Sequence, residues 1–335
     1  MLPRMQLRIG VDGGGSKTRA SLFSGKTRLG LGRAGPSNPL AVGTETAGSN
    51  LMRAVQQALD EARERMGKDW EEPSSLPCGL GLAGVGAGEE GRQAAQALAG
   101  LLRGRFPNLR PQFYTDLEAA FAGTFEGRPG ILVIGGTGSS ALGFDGASQL
   151  LRVGGFGKRL GDPGSGFAVL LEAAQLLLSK SEGLLPGGMP SWGPALLHAL
   201  GCADPRDLIP IFARDPSPLE LEQGIRALEE AASGGEAVPG ELLRKAGRIL
   251  ADHAGALGAR LGLSEVRVAC AGGFLCKAPM VLDSFCARLE GHSREQQRSY
   301  VFLDRSPDPE WGAAGLAVGA WPSLRLEDRA QSETL

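Results

Sequence analysis

The sequence predicts an α/β protein of two domains that repeat one plan, each built on a mixed β-sheet. Three observations support this prediction. The chain has 335 residues, more than one hydrophobic core usually organises. Strand-like apolar runs and amphipathic helices follow the order β-β-β-α-β-α-β, and that order occurs twice. A glycine-rich turn follows the first strand of each half.

The elements of the first half are predicted from hydrophobic periodicity. They are strands at 7–11, 19–23 and 28–32, a helix through 51–66, a strand at 78–83, a helix at 90–106 and a strand at 112–115. The last strand leads into a helix that begins near Asp116.

The second half repeats the pattern with a long insertion. It has strands at 131–135, 140–144 and 149–153, a mostly helical insertion at 167–261, a strand at 266–270, a helix at 279–289, a strand at 300–303 and a helix from 311. We expect one domain over 5–117, completed by a C-terminal helix at 311–325, and a second over 118–310. A cleft between two such halves is where a ligand is expected.

Composition excludes several classes of partner. Net charge is −2 and the isoelectric point about 6.0, so the charge favours neither nucleic acid nor a membrane. The first residues lack the apolar segment of a secretory signal, and no apolar run reaches membrane-spanning length. The five cysteines form no CxxC pair, which is typical of reduced core thiols in a cytoplasmic protein.

The first glycine-rich turn, Asp12–Thr18, joins two strands rather than a strand and a helix. A P-loop or dinucleotide fingerprint requires the helix, and the chain contains no G-x-x-x-x-G-K-[ST] spacing. Hairpin turns of this composition instead offer backbone N–H groups and hydroxyls to a polyphosphate. In the first turn the candidates are Gly14, Gly15, Ser16, Lys17 and Thr18; Gly135–Ser139 forms the second turn.

Two aspartates have both a structural and a functional interpretation. Asp12 either caps the first turn or holds Mg²⁺, mostly through water, beside phosphates. Asp116 follows Thr115 and precedes Glu118, so it either belongs to the first turn of a capped helix or acts as a general base toward a substrate hydroxyl. The Gly272-Gly273 turn either connects a strand to a helix or lies against a planar group such as adenine.

The ordered motifs resemble the N-acetylglucosamine kinase branch of the BadF/BadG/BcrA/BcrD ATPase family, within the sugar kinase/actin-like superfamily. They extend from Ile9 to about Ala320. The motifs are Asp12–Ser16, Ser37-Asn38, Ala83-Gly84, Thr115–Ala120, Gly136–Ser139, Gly154–Gly157, Gly161–Ser165 and the late Gly-Gly turn. The resemblance implies two duplicated RNase H-like domains, ATP with Mg²⁺, an amino-sugar substrate and often a homodimer.

The resemblance also implies residue roles. Asp116 is similar to the family's catalytic base, and Asp12 to the residue near Mg²⁺. The implied nucleotide contacts, besides the first turn, are Thr137, Gly138, Ser139, Gly272, Gly273 and Lys277. The implied sugar contacts are Asn38, Gly84, Asp116, Gly155, Phe156, Gly157 and Asp162.

Two positions depart from the family pattern near the implied sugar contacts. Pro163 replaces an acidic residue, and Phe156 stands where the animal kinases carry Trp. The family's iron–sulfur activators of acyl-CoA dehydratases and reductases are an alternative, but no cysteine lies between Cys78 and Cys202 to hold their cluster. A non-catalytic sugar-binding regulator is the third interpretation.

Overall fold

Two five-stranded mixed sheets form the framework of the computed structural model, which describes residues 6–86, 88–158, 160–303 and 306–321. By their contacts the residues fall into two compact units. The first comprises the described residues up to Pro129, together with Gly146–Leu150 and those from Ser306 onward; the second comprises Gly130–Asp145 and the described residues of Leu151–Arg305.

Among the described residues the first unit contains five strands and five α-helices, in an order close to the predicted one. Its elements are β1 (Leu7–Gly13), β2 (Thr18–Ser24), β3 (Thr27–Ala34), α1 (Pro39–Val42), α2 (Thr44–Met66), β4 (Leu76–Leu82), α3 (Gly88–Arg105), β5 (Leu109–Thr115) and α4 (Asp116–Phe125). A later helix, Pro309–Ala317, packs with them and is labelled α12 below.

The second unit contains the other sheet and the helical insertion. Its elements are β6 (Gly130–Gly135), β7 (Ser139–Phe144), β8 (Leu150–Gly154), α5 (Gly166–Ser181), α6 (Gly193–Ala199), α7 (Leu208–Ala213), α8 (Pro218–Ser233), α9 (Ala237–Leu261), β9 (Glu265–Ala271), α10 (Gly273–Lys277), α11 (Pro279–Gln296) and β10 (Ser299–Leu303). The boundary residue Leu150 of β8 groups with the first unit.

The two sheets have the same strand order. The first is β3-β2-β1-β4-β5 and the second, written in the same direction, is β8-β7-β6-β9-β10. In each sheet the central strand pairs antiparallel with the second strand of its hairpin and parallel with the strand after the crossover, β4 or β9. The predicted duplication of one mixed-sheet plan is therefore confirmed.

Glycines in the first sheet allow α12 to lie directly against the strands. A side chain on Gly10 of β1 would overlap the Glu310 carbonyl, and one on Gly79 of β4 would overlap the Ala313 carbonyl. Buried Ile9, Val11 and Leu80 belong to the core of this unit. This close approach fixes the position of Glu310 of α12 against β1.

The unit boundary differs from the predicted one between 117 and 118. Helix α4 packs on α12, with Gly123 and Gly312 giving room for backbone contact, so it groups with the first unit and the division follows Pro129. The C-terminal helix, predicted over 311–325, begins at Pro309 and ends at Ala317, and residues 322–325 lie outside the described residues. None of the helices in the described ranges combines the length and the apolar composition that a membrane-spanning helix requires.

Candidate active site

The first glycine turn forms the tip of the β1–β2 hairpin. The Gly14 amide donates to the Lys17 carbonyl at 3.1 Å, and the Gly14 carbonyl accepts from the amides of Ser37 and Asn38 at 3.0 and 3.2 Å. Gly15 and Ser16 are exposed, and a methyl group on Gly14 or Gly15 would meet no atom within 4 Å. The turn is thus anchored through the Gly14 carbonyl to the segment after β3, while Gly15 and Ser16 are accessible to a ligand.

Thr18, a predicted phosphate contact, has a different placement. Its side chain is fully buried, and its hydroxyl lies 2.6 Å from the Gly35 carbonyl oxygen and 2.8 Å from the Ser37 hydroxyl. These bonds hold the segment after β3 against the hairpin. The placement gives Thr18 a structural role and does not favour contact with a ligand.

Asp12 lies at the end of β1, one residue before the hairpin turn, and is half-buried. The pKa of its carboxyl is raised to about 6, chiefly by burial and further by the nearby Glu310 and Asp116 carboxylates, while Arg19 and Lys17 act in the opposite direction. A nearby cation would favour the ionised form of a carboxyl whose pKa is raised in this way.

Asp116 is the first residue of α4 and its side chain is exposed. The helix is capped by its neighbours: the Thr115 hydroxyl accepts from the Glu118 amide at 3.1 Å, and the Glu118 carboxylate accepts from the Thr115 amide at 2.8 Å. Asp116 thus lies in the first turn of a capped helix, as its structural interpretation predicts, and its Oδ1 accepts from the Leu117 amide at 2.9 Å. Because the capping box is made by Thr115 and Glu118, the exposed Asp116 carboxylate is equally compatible with the role of a general base.

The strand register brings the two aspartates to one edge of the first sheet. Asp12 of β1 is level with Gly81 of β4, and Gly81 is level with Tyr114 of β5, two residues before Asp116. The three strands are parallel, so their carboxyl ends meet at this edge, where open α/β sheets bind ligands. Two strand spacings separate Asp12 from Tyr114, about 10 Å.

Asn38 and Gly84 lie in the same unit, beside that edge. Asn38 caps α1, with its Oδ1 accepting from the Leu40 amide at 3.0 Å, and this oxygen occupies the place that a side chain on Gly84 would take. Gly84 itself follows β4. The predicted pair is therefore brought together by the structure, with the Asn38 oxygen already used.

The second glycine turn closes the β6–β7 hairpin, with the Gly136 amide donating to the Gly138 carbonyl at 2.9 Å. Thr137 at its tip is exposed. Ser139 is buried, and its hydroxyl donates to the Pro163 carbonyl at 2.8 Å. The hydroxyl predicted to bind phosphate at Ser139 is thus occupied within the protein.

Asp162 and the loop Gly154–Gly157, predicted sugar contacts, pack around this turn. Asp162 is buried; its Oδ1 accepts from the Gly157 amide at 3.0 Å, and Oδ2 would lie 2.6 Å from a side-chain atom on Gly138. The Gly155 amide donates to the Ser139 carbonyl at 2.9 Å. Phe156 is 63% exposed, so the loop presents an aromatic ring to solvent while Asp162 holds its backbone.

The late Gly-Gly turn lies against the second glycine turn. Gly272 has φ +89°, a left-handed conformation, and a side chain there would overlap the Gly135 carbonyl. Since β6 and β9 are parallel neighbours, this contact forms at the carboxyl edge of the second sheet. Only glycine satisfies both the conformation and the close approach.

A cavity of about 370 Å³ lies in the second unit beside these turns. Three predicted nucleotide contacts line it: Thr137, Gly273 and Lys277. The opposite wall is formed by α8 through Leu221, Ile225 and Glu229, among others. These α8 residues were missed by the sequence analysis, because their spacing predicts only an ordinary amphipathic helix. Gly138, Ser139 and Gly272 support the turns and do not line the cavity.

The Asp12 carboxylate has the donor chemistry that a hard cation prefers. Among the described residues no group of three or more His, Cys, Asp or Glu side chains could hold a metal ion. Asp12 supplies a carboxylate beside an open turn, which fits a Mg²⁺ ion that keeps most of its waters.

A second cavity, about 280 Å³ in the first unit near Leu76 and Leu109, contains none of the predicted residues.

Comparison with known proteins places this geometry among sugar kinases. The model of the BadF/BadG/BcrA/BcrD ATPase family matches residues 9–314. The chain is 29% identical over 249 residues to the N-acetylmuramic acid/N-acetylglucosamine kinase of Clostridium acetobutylicum, covering 73% of this chain and 77% of the relative. It is 26% identical to the N-acetyl-D-glucosamine kinase of Dictyostelium discoideum, covering 94% and 98%.

A solved structure extends the likeness to the fold. A Chromobacterium violaceum protein, provisionally assigned as an N-acetylglucosamine kinase, superposes with a TM-score of 0.68 at 26% identity, covering 94% of this chain and all of that one. The α/β architecture with two mixed five-stranded sheets is therefore the fold of this group of proteins.

Proposed function

The chain belongs to the BadF/BadG/BcrA/BcrD ATPase family, and we propose that it is an ATP-dependent amino-sugar kinase. The observation that carries the proposal is the exposed Asp116 carboxylate at the start of α4, whose helix cap is made by Thr115 and Glu118 instead. The relatives named as N-acetylglucosamine and N-acetylmuramic acid kinases support the substrate class.

In this proposal Asp116 is the general base. Its carboxylate takes the proton from the sugar hydroxyl as the hydroxyl oxygen attacks the γ-phosphorus of ATP, and ADP leaves with the electrons of the broken P–O bond. Phosphoryl transfer needs little covalent participation by the protein, so positioning and charge stabilisation supply most of the catalysis. The proposed hydroxyl is the one on carbon 6.

The phosphates are assigned to the glycine turns. We assign Gly14, Gly15, Ser16 and Lys17 of the first turn, and Thr137 of the second, as phosphate contacts, with Gly273 and Lys277 beside the nucleoside in the cavity. Asp12 would hold Mg²⁺ through water. When bound, the ion neutralises charge on the phosphates.

The sugar contacts stay proposals of the same kind. They are Asn38, Gly84 and Asp116 in the first unit, and Gly155, Phe156 and Gly157 in the second. Asp162 is buried and bonds the loop backbone, so its role is to hold the loop that carries Phe156. We further propose N-acetylglucosamine or glucosamine as substrate, a cytoplasmic location and a homodimer.

The function is tested by ADP release from Mg-ATP with a panel of sugars. The panel contains N-acetylglucosamine, glucosamine, N-acetylmuramic acid, glucose and a sample without sugar. Strong stimulation by one amino sugar supports the proposal and names the substrate. Hydrolysis that no sugar changes, in a protein that carries iron, would favour the dehydratase-activator alternative.

A further inference from the structure

The cavity of the second unit is lined by apolar side chains and by two carboxylates of α8, Glu222 and Glu229. Leu221, Ile225 and Phe274 supply apolar surface, and Glu229 lies at the cavity among them. Residues 221, 225 and 229 follow each other at four-residue spacing on α8, so they form one line of about 12 Å along the helix. Glu229 therefore marks one end of this apolar line.

Glu229 has an unsatisfied acceptor. Its Oε1 is buried and has no hydrogen-bond partner within the described part of the chain. Arg226, one turn earlier, donates to Glu222 at 3.0 Å instead. Burial raises the pKa of Glu229, which is the expected response of a carboxyl that lacks a donor. A buried acceptor without a donor costs stability, so a bound ligand that supplies one would be favoured.

The glycine turn and Glu229 belong to opposite ends of the cavity. A three-residue connection joins α8 to α9, so the two packed helices run in opposite directions. Gly164, close to the second glycine turn, packs against Ala246 and Leu250 of α9. Those α9 residues lie opposite the first half of α8, whereas Glu229 lies in its last two turns. Phosphates at Thr137 would thus direct the nucleoside toward Glu229.

We propose that Glu229 accepts a hydrogen bond from the nucleoside of the phosphoryl donor and makes the enzyme select nucleotides that offer a donor at that point. An ionised carboxylate is an acceptor only, so its partner must be an O–H or N–H group. A nucleoside offers two sources, the ribose hydroxyls and a base amino group. The inference rests on the proposed function, because it takes the cavity as the nucleotide site.

The test is equilibrium binding by titration calorimetry, which does not depend on catalysis. The ligands are ATP, 2′-deoxy-ATP, 3′-deoxy-ATP and purine riboside triphosphate, which lacks the 6-amino group. The proteins are the wild type, Glu229→Met, Glu229→Gln and a matched control, Glu230→Met. Glu230 is the adjacent residue on α8 and is exposed, so the control makes the same chemical change outside the cavity.

We expect Glu229→Met to weaken ATP binding by about 10- to 100-fold, the effect of losing a hydrogen bond to a charged group. The wild type should bind at least one analogue more weakly than ATP, and Glu229→Met should bind that analogue and ATP alike. The analogue concerned identifies the ribose or the amino group as the source. Glu229→Gln keeps an acceptor and should lose less affinity, and Glu230→Met should match the wild type.

The outcomes separate the two proposals. Wild-type protein that binds no nucleotide overturns the proposed function. Wild-type protein that binds ATP, with Glu229→Met unchanged in affinity and in its discrimination among analogues, overturns this inference alone.

Thermal unfolding without ligand adds a check: Glu229→Met should unfold at the same or a higher temperature, because it removes an unpartnered buried oxygen. A marked fall, with discrimination retained, would assign Glu229 a structural role and overturn the inference.

Discussion

Arg19 lies directly opposite Asp12 in the register of the first hairpin, yet its guanidinium pairs with Glu310, with 2.7 Å between Nε and Oε1. The second Glu310 oxygen accepts from Ser21 and Arg28, each at 3.1 Å. The Glu310 carboxylate thus forms ion pairs with both Arg19 and Arg28. In the described part of the chain no side chain donates to Asp12, which keeps an anionic oxygen available at the end of β1.

The first prediction concerns the energetic cost of this arrangement. The pKa of Asp12 rises from 3.8 to about 6 on folding, so the folded protein holds that proton more tightly than the unfolded chain. Ionising Asp12 therefore destabilises the fold as pH rises from about 4 to 6. We expect Asp12→Asn to raise the free energy of unfolding at pH 7 by about 2 to 3 kcal/mol, from a shift of roughly two pKa units.

Urea unfolding of the variant and the wild type at pH 7 and pH 4 checks this prediction. The gain should disappear at pH 4, where the wild-type carboxyl is protonated in the folded state. An equal gain at both pH values would contradict the assigned cause. The same variant should lose Mg²⁺-dependent activity, because an amide is a poorer ligand than a carboxylate for a hard cation.

The second prediction tests the general base. Asp116→Asn should lower kcat by roughly 10²- to 10⁴-fold, the usual effect of removing such a group. The free energy of unfolding should change little, since Thr115 and Glu118 cap α4. Asp69→Asn, an exposed aspartate of the same unit, is the matched control. Turnover of Asp116→Asn close to that of the control would remove Asp116 from the mechanism.

Much of the fold was predictable from the sequence, because strand and helix periodicity reflects burial that each short segment carries by itself. The order of the elements and the two hairpin turns were predicted in this way. The direction of individual side chains was not predictable. The Thr18 hydroxyl is oriented by a carbonyl 17 residues away, and the Ser139 hydroxyl by one 24 residues away. The contribution of α8 to the cavity likewise depends on its packing against α5, α6 and α9, which its own pattern does not encode.

The third prediction separates two hydroxyls of the first turn. Thr18→Val should lower the free energy of unfolding by about 1 to 3 kcal/mol, because the Gly35 carbonyl loses a buried donor. Its KM for ATP should stay within about twofold of the wild type. Ser16→Ala should do the reverse, since Ser16 is exposed: stability within about 0.5 kcal/mol and a raised KM for ATP.

Urea unfolding and steady-state kinetics on both variants are sufficient for this comparison. If Thr18→Val raised the KM for ATP as much as Ser16→Ala did, the buried hydroxyl would matter for the nucleotide after all. That result would contradict the structural role given to Thr18 by its placement.

The last prediction distinguishes the cap at Asn38 from a contact with the sugar. The Asn38 Oδ1 is used by the Leu40 amide, so a sugar contact would come from the amide N–H₂ group. Asn38→Asp keeps the capping oxygen but removes the donors, whereas Asn38→Ala removes both. We expect both variants to raise the KM for the sugar by about tenfold, the worth of one hydrogen bond, and to change the KM for ATP much less. Only Asn38→Ala should also lower the free energy of unfolding, by about 1 kcal/mol, through loss of the cap.

Sugar and ATP kinetics of the two variants, with urea unfolding of each, provide the measurement. A normal sugar KM in Asn38→Asp would leave Asn38 as the cap of α1, and the sugar would then have to be held by other residues of this edge.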